Sequence, residues 1–281
     1  MLDKLFGLDG RVIVVTGGYG QIGRAMTSGL VGCGAKVAIV EPHASEEGTA
    51  KAFPDGPGED TIRAFKADVT DRPSLEAALA DIEGHFGTPS GLVNNAALDS
   101  LPNSTAAENG PFEDYPAASW ERIMDVNVKG VFQCCQVFGK AMADAGKGSI
   151  ANVASIYGTV SPDQSLYQYR RDRGETFYKP VAYSASKSAL YNLTRYLAVY
   201  WGPKGVRTNT LTFAGVFNNQ DAEFLDSYEK KVPLRRGGDY DKLRGMARAD
   251  DYVGPTAFLM SDASTYANGA DFRIDGGFLA M

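Results

Sequence analysis

The sequence contains no long apolar run. A membrane-spanning helix needs about 18 consecutive apolar residues, and no such stretch occurs in the 281 residues. Residues 1–10 also lack the cationic segment followed by an apolar one that typifies an export signal. We therefore expect a cytoplasmic protein without a membrane partner.

Cationic residues are also in the minority. The 28 Lys and Arg residues are outnumbered by 34 Asp and Glu residues, so the formal net charge is −6 at pH 7. Surfaces that bind nucleic acids or anionic membranes need a cationic excess. The charge balance argues against a nucleic-acid partner and favours a small-molecule substrate.

Cysteine and histidine are scarce. Cys33, Cys134 and Cys135 form neither a disulfide framework nor a zinc pattern, and the adjacent pair is typical of small apolar positions in a helix. His43 and His85 have no carboxylate or cysteine at ligand spacing. We expect no metal site.

Short runs of Val, Ile and Ala alternate with longer helical patterns, which indicates repeated βαβ units. Several runs are apolar without alternation, as expected for a parallel sheet that helices cover on both faces. The fold class predicted is α/β, with a doubly wound, seven-stranded parallel sheet in a single domain over 1–281. The seven strands are predicted at 11–16, 36–40, 61–67, 91–94, 149–155, 207–211 and 271–274. The ligand site of such a sheet lies beyond the carboxyl ends of the strands.

Two segments, at about 158–182 and 213–249, interrupt this alternation. Each is too long for a simple connector, so each is either a functional lid over the substrate or a mobile loop. The first segment carries a cluster of aromatic and basic residues, Tyr167, Tyr169, Arg170, Arg171, Arg173 and Tyr178.

A glycine-rich turn, Thr16-Gly17-Gly18-Tyr19-Gly20-Gln21-Ile22-Gly23, follows the first predicted strand and opens a helical pattern. Glycines let the backbone approach a pyrophosphate, and the helix N-terminus favours its negative charge. Glycine also marks ordinary turns, but the strand-to-helix context favours a dinucleotide site. The candidate contacts of the cofactor in this turn are Gly17, Tyr19, Gln21 and Ile22.

Glu41 ends the second predicted strand, about 18 residues beyond the turn, where the ribose of a dinucleotide lies. Its carboxylate can accept hydrogen bonds from both ribose hydroxyls and would repel a 2′-phosphate. The residue therefore predicts NAD as the cofactor. The alternative is a solvated glutamate at the end of a strand.

Further candidate contacts with the cofactor follow the third and fourth predicted strands. Asp68 and Val69 could cover the adenine side, while Asn95, Ala96 and Ala97 would lie under the cofactor. Both groups of residues are also compatible with ordinary turn chemistry.

Tyr183 and Lys187 stand four residues apart at the start of a predicted helix, so their side chains share a face. A nearby ammonium and an oxidised nicotinamide together would stabilise the phenolate for general-base chemistry. The pair alone is a weak signal, and the surrounding motifs must support it. Ser155, at the end of a predicted strand, could hold a substrate oxygen, and Asn127 lies in a helical pattern where asparagine seeks other partners.

At this point the sequence closely resembles the short-chain dehydrogenase/reductase family over residues 8–277. The resemblance rests on the order of the motifs, which are Thr16 to Gly23, Asp68, Asn94 to Ala97, Asn127, Ser155, Tyr183, Lys187 and Asp275-Gly276-Gly277. It implies a Rossmann-type fold and an NAD-dependent oxidoreductase.

The resemblance also implies roles for four catalytic residues. Tyr183 would be the acid/base, and Lys187 would lower the pKa of the tyrosine and bind the nicotinamide ribose. Ser155 would position the carbonyl or alcohol, and Asn127 would organise a water that leads to the lysine. The family resemblance further implies a homotetramer or dimer, with apolar faces on the helices around 119–143 and 182–201 as the candidate interface. The alternative is that these faces are buried only within the subunit.

The sequence departs from the family pattern at four places, one of which is a stretch at 237–245 that resembles an insertion. Gln21 replaces the middle glycine of the turn, which leads us to expect that Gly20 supplies the backbone freedom. Phe213-Ala214 replaces Pro-Gly after the sixth strand, where Val216 is still expected to meet the nicotinamide carboxamide. Tyr183 follows Ser155 by 28 positions, about twice the usual separation, so 158–182 resembles an insertion beside the substrate.

The predicted reaction is reversible hydride transfer between NAD and a secondary alcohol or ketone. The aromatic and basic residues of 158–182 predict a polar, multiply hydroxylated substrate, either neutral or anionic, that resembles a sugar or a sugar acid. Alternatively, these arginines form a solvated or intersubunit face. Two other functions remain open, namely epimerisation or dehydration of a nucleotide-linked sugar, and a catalytically silent NAD sensor.

Overall fold

The computed structural model describes residues 1–56, 58–99 and 105–281, and in this part of the chain seven strands form one sheet. All neighbouring strands are parallel, in the order β3-β2-β1-β4-β5-β6-β7. The strands are β1 (Val12–Thr16), β2 (Lys36–Glu41), β3 (Ile62–Lys66), β4 (Gly91–Asn94), β5 (Gly148–Ser155), β6 (Val206–Phe213) and β7 (Asp271–Ile274). The predicted α/β fold, a doubly wound sheet in a single domain, is confirmed.

The sixth strand is longer than the sequence predicted. It continues two residues past the expected end at 211, because Phe213 pairs with Ser155 on one side and Ile274 on the other. The ring of Phe213 stacks on Tyr252 with ring centroids 3.7 Å apart. The residue expected to open a loop is therefore part of the sheet.

Helices cover both faces of the sheet. The α-helices are α1 (Leu2–Phe6), α2 (Gln21–Gly32), α3 (Glu46–Ala52), α4 (Arg72–His85), α5 (Ala117–Met124), α6 (Val131–Cys134), α7 (Lys140–Asp144), α8 (Gln168–Asp172), α9 (Val181–Trp201), α10 (Ala222–Glu229) and α11 (Val253–Met260). Short 3₁₀ turns lie at Phe112–Asp114, Ile156–Gly158, Gln164–Tyr167, Gly202–Lys204, Gly238–Leu243, Ala249–Tyr252, Asp262–Ser264 and Phe278–Ala280.

The helical path from α5 to α7 contains two π-helical stretches, Asp125–Gly130 and Cys135–Gly139. The wider turn of a π-helix is often found at functional sites. Asn127 lies in the first stretch and is completely buried. Cys134 and Cys135 are buried apolar positions in the same path, as predicted.

The hydrophobic core has one cluster on each face of the sheet. The first packs α4, the α5–α7 path and α9 against the strands, and the second packs α2 and α11 against the opposite face. A third cluster joins Leu166 and Tyr167 to Phe224 and Tyr228 of α10. The two segments that interrupt the βα alternation therefore pack on each other through an aromatic core of their own.

Candidate active site

A cleft of about 1160 Å³ opens beyond the carboxyl ends of β1, β2, β4 and β5. It lies at the point where the order of the strands reverses, since β1 has β2 on one side and β4 on the other. Ligands of doubly wound sheets bind at such switch points. All thirteen sequence-predicted contacts of the cofactor line this cleft except Val216.

The glycine-rich turn is shaped by Gly17. Its φ of +67° lies in the left-handed region that favours glycine, whereas Gly20 has an extended backbone with φ of −68°. The expectation that Gly20 supplies the freedom is therefore wrong, because the chain reverses at Gly17. A Cβ on Gly17 would lie 2.9 Å from Ala96 Cα, and one on Gly23 would lie 2.3 Å from the Gly17 carbonyl oxygen.

Neighbouring side chains fix the position of this turn. The Thr16 hydroxyl accepts hydrogen bonds of 3.0 Å from the amides of Asn95 and Ala96, and the Asn95 side chain donates to the Thr16 and Gly17 carbonyls at 3.1 Å. Gln21 begins α2, and its amide donates to the Phe217 carbonyl at 2.9 Å. Residue 21 thus connects the turn to the loop after β6, a role that a glycine cannot fill.

Glu41 lies at the cleft end of β2, half-buried beside the turn. Burial raises the pKa of its carboxyl, while His43 and a hydrogen bond from the Tyr19 amide lower it. The Tyr19 hydroxyl forms a hydrogen bond of 2.7 Å with the Thr49 hydroxyl, and this bond anchors the Tyr19 ring against α3. A carboxylate held here faces the cleft rather than bulk solvent.

Asp68 and Val69 line the cleft after β3. One Asp68 carboxylate oxygen accepts from both the amide and the hydroxyl of Thr70, at 2.8 Å and 2.7 Å. The turn chemistry that the sequence suggested is therefore present, and Asp68 also faces the cleft. Ala96 and Ala97 form the floor after β4.

Tyr183, Lys187 and Ser155 converge on one end of the cleft. Lys187 is 3% exposed, and its ammonium donates to the Val153 carbonyl at 2.7 Å and lies 5.9 Å from the centre of the Tyr183 ring. Burial lowers the pKa of Lys187 to about 8. Burial also raises the pKa of Tyr183, and a hydrogen bond with Ser155 opposes that rise.

Asn127 lies behind this group rather than in the cleft. Its side chain accepts from the Leu98 amide at 2.8 Å and donates to the Leu98 carbonyl and to the Ser186 hydroxyl, both at 2.9 Å. Ser186 precedes Lys187 in α9, so the asparagine connects the loop after β4 to the helix that carries the lysine. Its contact with a water or with the lysine itself stays a prediction.

The loop after β6 differs from the family pattern without opening a gap. The Tyr252 hydroxyl donates to the Ala214 carbonyl at 3.0 Å, and the Ala214 amide donates to Ile274 at 3.3 Å. Val216 forms an isolated parallel bridge with Ala247. It lines a second cavity of about 570 Å³ that adjoins the cleft at Tyr183 and Ser155.

This second cavity is the candidate substrate pocket, and residues of 158–182 form one of its walls. Tyr167, Tyr169 and Arg170 line it, whereas Arg171 and Arg173 do not. Each arginine has protein partners: Arg170 pairs with Glu175 at 2.6 Å, Arg173 pairs with Glu223, and Arg171 donates to the carbonyls of Gln164 and Phe177. All three arginines are thus engaged within the subunit, and the alternative that they form a solvated or intersubunit face stays a prediction.

Among the residues of this pocket that sequence reasoning missed are Asp99 and Lys179. The Lys179 ammonium pairs with the Asp99 carboxylate and lies 5.3 Å from the centre of the Tyr183 ring. Lys179 precedes Tyr183 by four positions, the same spacing as Tyr183 and Lys187, which could have signalled it. Pro180 hides this signal, because α9 begins only after the proline.

Among the described residues, no helix is long and apolar enough to cross a bilayer. In the same part of the chain, no three His, Cys, Asp or Glu side chains are grouped so that they could hold a metal ion.

The fold and the cleft define an oxidoreductase of the Rossmann type. A family model described as enoyl-(acyl carrier protein) reductase matches residues 17–279. The chain belongs to the short-chain dehydrogenase/reductase family.

Several relatives of this chain are named as dehydrogenases. D-threitol dehydrogenase of Mycolicibacterium smegmatis is 34% identical over 282 aligned positions, which cover 99% of this chain and 96% of the relative. A gluconate 5-dehydrogenase from Burkholderia cenocepacia, solved in complex with NADP and tartrate, is 26% identical, with a TM-score of 0.81 and 100% of both chains covered. A short chain dehydrogenase from Leptospira borgpetersenii, solved with bound NAD+, is 28% identical, with a TM-score of 0.80 and 99% and 95% of the two chains covered. The protein is thus an NAD(P)-dependent oxidoreductase.

Gly17→Ala should weaken dinucleotide binding by at least about tenfold, because the added methyl group combines a strained φ with a close approach to Ala96. Gly10→Ala is the matched control, since Gly10 has a φ of +73° and nothing within 4 Å of the added Cβ. The strained φ should cost both variants about 1 kcal/mol of unfolding free energy, and Gly17→Ala should lose more because its methyl group also meets the Ala96 backbone. Isothermal titration should show normal affinity in the control, and equal affinities for both variants would contradict the close-approach argument.

Proposed function

We propose that the protein catalyses the reversible oxidation of a secondary alcohol in a polyhydroxylated substrate, with NAD as the cofactor. The observation that carries this proposal is the convergence of Ser155, Tyr183 and Lys187 where the dinucleotide cleft meets the second cavity. The names of the relatives, which act on a sugar alcohol and on gluconate, support the substrate class.

The site fits a dinucleotide. A Cβ would fill the backbone cradle at Gly17 and Gly23, and α2 is long enough to direct free amides at a phosphate. A bound oxidised nicotinamide supplies the hydride acceptor and a positive charge beside the phenol.

We propose Tyr183 as the general base that removes the hydroxyl proton during oxidation. Its pKa is raised in the protein alone, so the phenolate depends on positive charge brought close to it. Lys187 supplies part of this charge, and it is well suited to exchange a proton because burial brings its own pKa to about 8. The Ser155 hydroxyl lies beside the phenol and would stabilise the developing oxyanion.

We propose that Asn127 is a positioning residue. It holds the backbone of Leu98 through two hydrogen bonds and the Ser186 hydroxyl through a third. These contacts fix the floor of the cleft relative to α9, the helix that carries Lys187. In this proposal Asn127 acts by placing the lysine.

We propose that Glu41 selects NAD over NADP. The half-buried carboxylate at the end of β2 lies where the ribose would bind, and the charge of a 2′-phosphate would be unfavourable beside it. Solved relatives hold one nucleotide or the other, so the family alone does not decide this choice.

We propose that the protein is cytoplasmic and forms a homotetramer or dimer through α9 and the α5–α7 path. Both present exposed apolar side chains, which are Trp120, Phe132, Tyr196, Val199 and Tyr200. Tyr196, Val199 and Tyr200 lie at helical spacing on one face of α9, and an exposed apolar patch of this kind is typical of a contact surface. Light scattering at micromolar concentration should give a mass two or four times that of the chain, and a monomer would contradict the interface.

Tyr183→Phe should reduce kcat by at least about a thousandfold while NAD affinity changes little, because only the oxygen that transfers the proton is lost. Tyr266→Phe, the same change at an exposed position that lines neither the cleft nor the second cavity, is the control. NADH absorbance with threitol as substrate measures the rate. Turnover near the original value in Tyr183→Phe would exclude the tyrosine as the base.

Glu41→Ala should weaken NAD binding and bring the affinities for NAD and NADP closer together, because two ribose hydrogen bonds and the repulsion of the 2′-phosphate are both lost. Glu47→Ala removes an exposed carboxylate from the neighbouring helix α3 and should leave the preference unchanged. Titration with both nucleotides decides the outcome. A preference for NADP in the unaltered protein would show that Glu41 does not select NAD.

A further inference from the structure

An ion pair between Asp99 and Lys179 lies at the junction of the dinucleotide cleft and the substrate pocket. Asp99 lines both cavities, and Lys179 lines the substrate pocket beside Tyr183. The lysine side chain is only 10% exposed, whereas the aspartate side chain is 58% exposed. The Lys179 ammonium is thus largely buried, whereas the Asp99 carboxylate is accessible to a ligand.

The backbone of Lys179 is clamped in place. The Gln164 side chain accepts from the Lys179 amide at 2.9 Å and donates to the Lys179 carbonyl at 3.1 Å. Arg171 in turn donates to the Gln164 carbonyl at 2.7 Å, and its guanidinium covers the Tyr178 ring at 4.7 Å. The inserted segment therefore fixes the Lys179 ammonium beside Tyr183, while its arginines stabilise the fold of the segment.

The charges around the substrate pocket balance. Within the described part of the chain, four charged residues line it, and each has a partner: Lys179 with Asp99, Arg170 with Glu175, and Asp221 as acceptor of the Tyr169 hydroxyl at 2.8 Å. An anionic substrate would need a cation that is not already neutralised, and it would approach the exposed Asp99 carboxylate at a cost. A neutral hydroxyl finds both an acceptor and a donor in the same pair.

We infer that Asp99 and Lys179 form a specificity-determining pair that binds a hydroxyl adjacent to the reacting carbon, and that the substrate is a neutral polyol rather than a sugar acid. The Asp99 carboxylate accepts from the substrate hydroxyl, and the remaining N–H groups of Lys179 donate to its oxygen. This inference rests on the proposed function and narrows its substrate class.

Asp99 also affects Tyr183 directly. After burial, the charge of Asp99 is the next cause that raises the pKa of the phenol. Removing the carboxylate therefore changes the rate with every alcohol, and a single substrate cannot separate the two effects. A ratio of kcat/KM values for two substrates cancels the effect on the phenol, because both substrates use the same base.

The test compares threitol with butan-2-ol, which lacks the neighbouring hydroxyl, and with threonate, in which a carboxylate replaces a terminal carbinol. The full chain with NAD is assayed as unaltered protein and as Asp99→Asn and Lys179→Met. Asp163→Asn is the matched control, because it breaks an ion pair of the same segment, with Lys231 at 2.7 Å, outside both cavities. Circular dichroism of each variant reports that it is folded.

The unaltered protein should favour threitol over threonate by at least about tenfold in kcat/KM. In Asp99→Asn and Lys179→Met, the threitol to butan-2-ol ratio should fall at least about tenfold, mainly through KM. Asp99→Asn should also lower the ratio of kcat/KM for threitol to that for threonate. The control Asp163→Asn should keep the threitol to butan-2-ol ratio and the threitol to threonate ratio of the unaltered protein.

Threitol to butan-2-ol ratios within about twofold of the original in both variants would overturn the inference while leaving the oxidoreductase proposal intact. A preference of the unaltered protein for threonate would overturn the neutral substrate class. Oxidation of butan-2-ol without any oxidation of threitol or threonate would contradict the polyhydroxylated substrate of the proposed function and the inference with it.

Discussion

The reversal of strand order at β1 determines where every part of the site lies. β1 pairs with β2 on one side and with β4 on the other, so the connections from these strands diverge and a crevice opens above them. The hydroxyl of Thr16, at the end of β1, connects the two sides of the crevice by accepting hydrogen bonds from the amides of Asn95 and Ala96, which follow β4. The glycine turn, Glu41 and the loop after β4 therefore surround one volume although they are distant in the sequence.

A buried ammonium sets the second constraint. An uncompensated buried charge is costly, and Lys187 meets this cost through the Val153 carbonyl in β5. Ser155 follows two residues later in the same strand, so the bond that holds the lysine also fixes the distance between α9 and the serine. The low pKa of Lys187 and the high pKa of Tyr183 share burial as their main cause. Lys187 is buried and Tyr183 lines the cleft, and in the proposed mechanism positive charge close to the phenol generates the phenolate.

The sequence predicted the sheet well because parallel strands buried on both faces are continuous apolar runs. It predicted the cleft because the motifs follow the ends of strands that the fold brings together. It failed where the outcome depends on tertiary contacts. Gly17 has the positive φ of the turn and also lies where Ala96 approaches, and β6 reaches Phe213 because Ser155 and Ile274 offer pairing partners. Periodicity contains no information about either contact.

The basic residues of 158–182 show the same limit at the level of function. Composition alone makes Arg170, Arg171 and Arg173 equivalent. In the structure, all three bind to carboxylates or backbone carbonyls elsewhere in the two interrupting segments. An insertion has to be stabilised before it can recognise anything, because ordering it costs conformational entropy. Here the aromatic cluster with α10 and the arginine contacts supply that stabilisation. Together with Tyr167, Tyr169 and Arg170, the ordered segment then presents Lys179 to the pocket. Two hydrogen bonds with the Gln164 side chain hold the backbone of this lysine, and its ammonium pairs with Asp99 in the loop after β4.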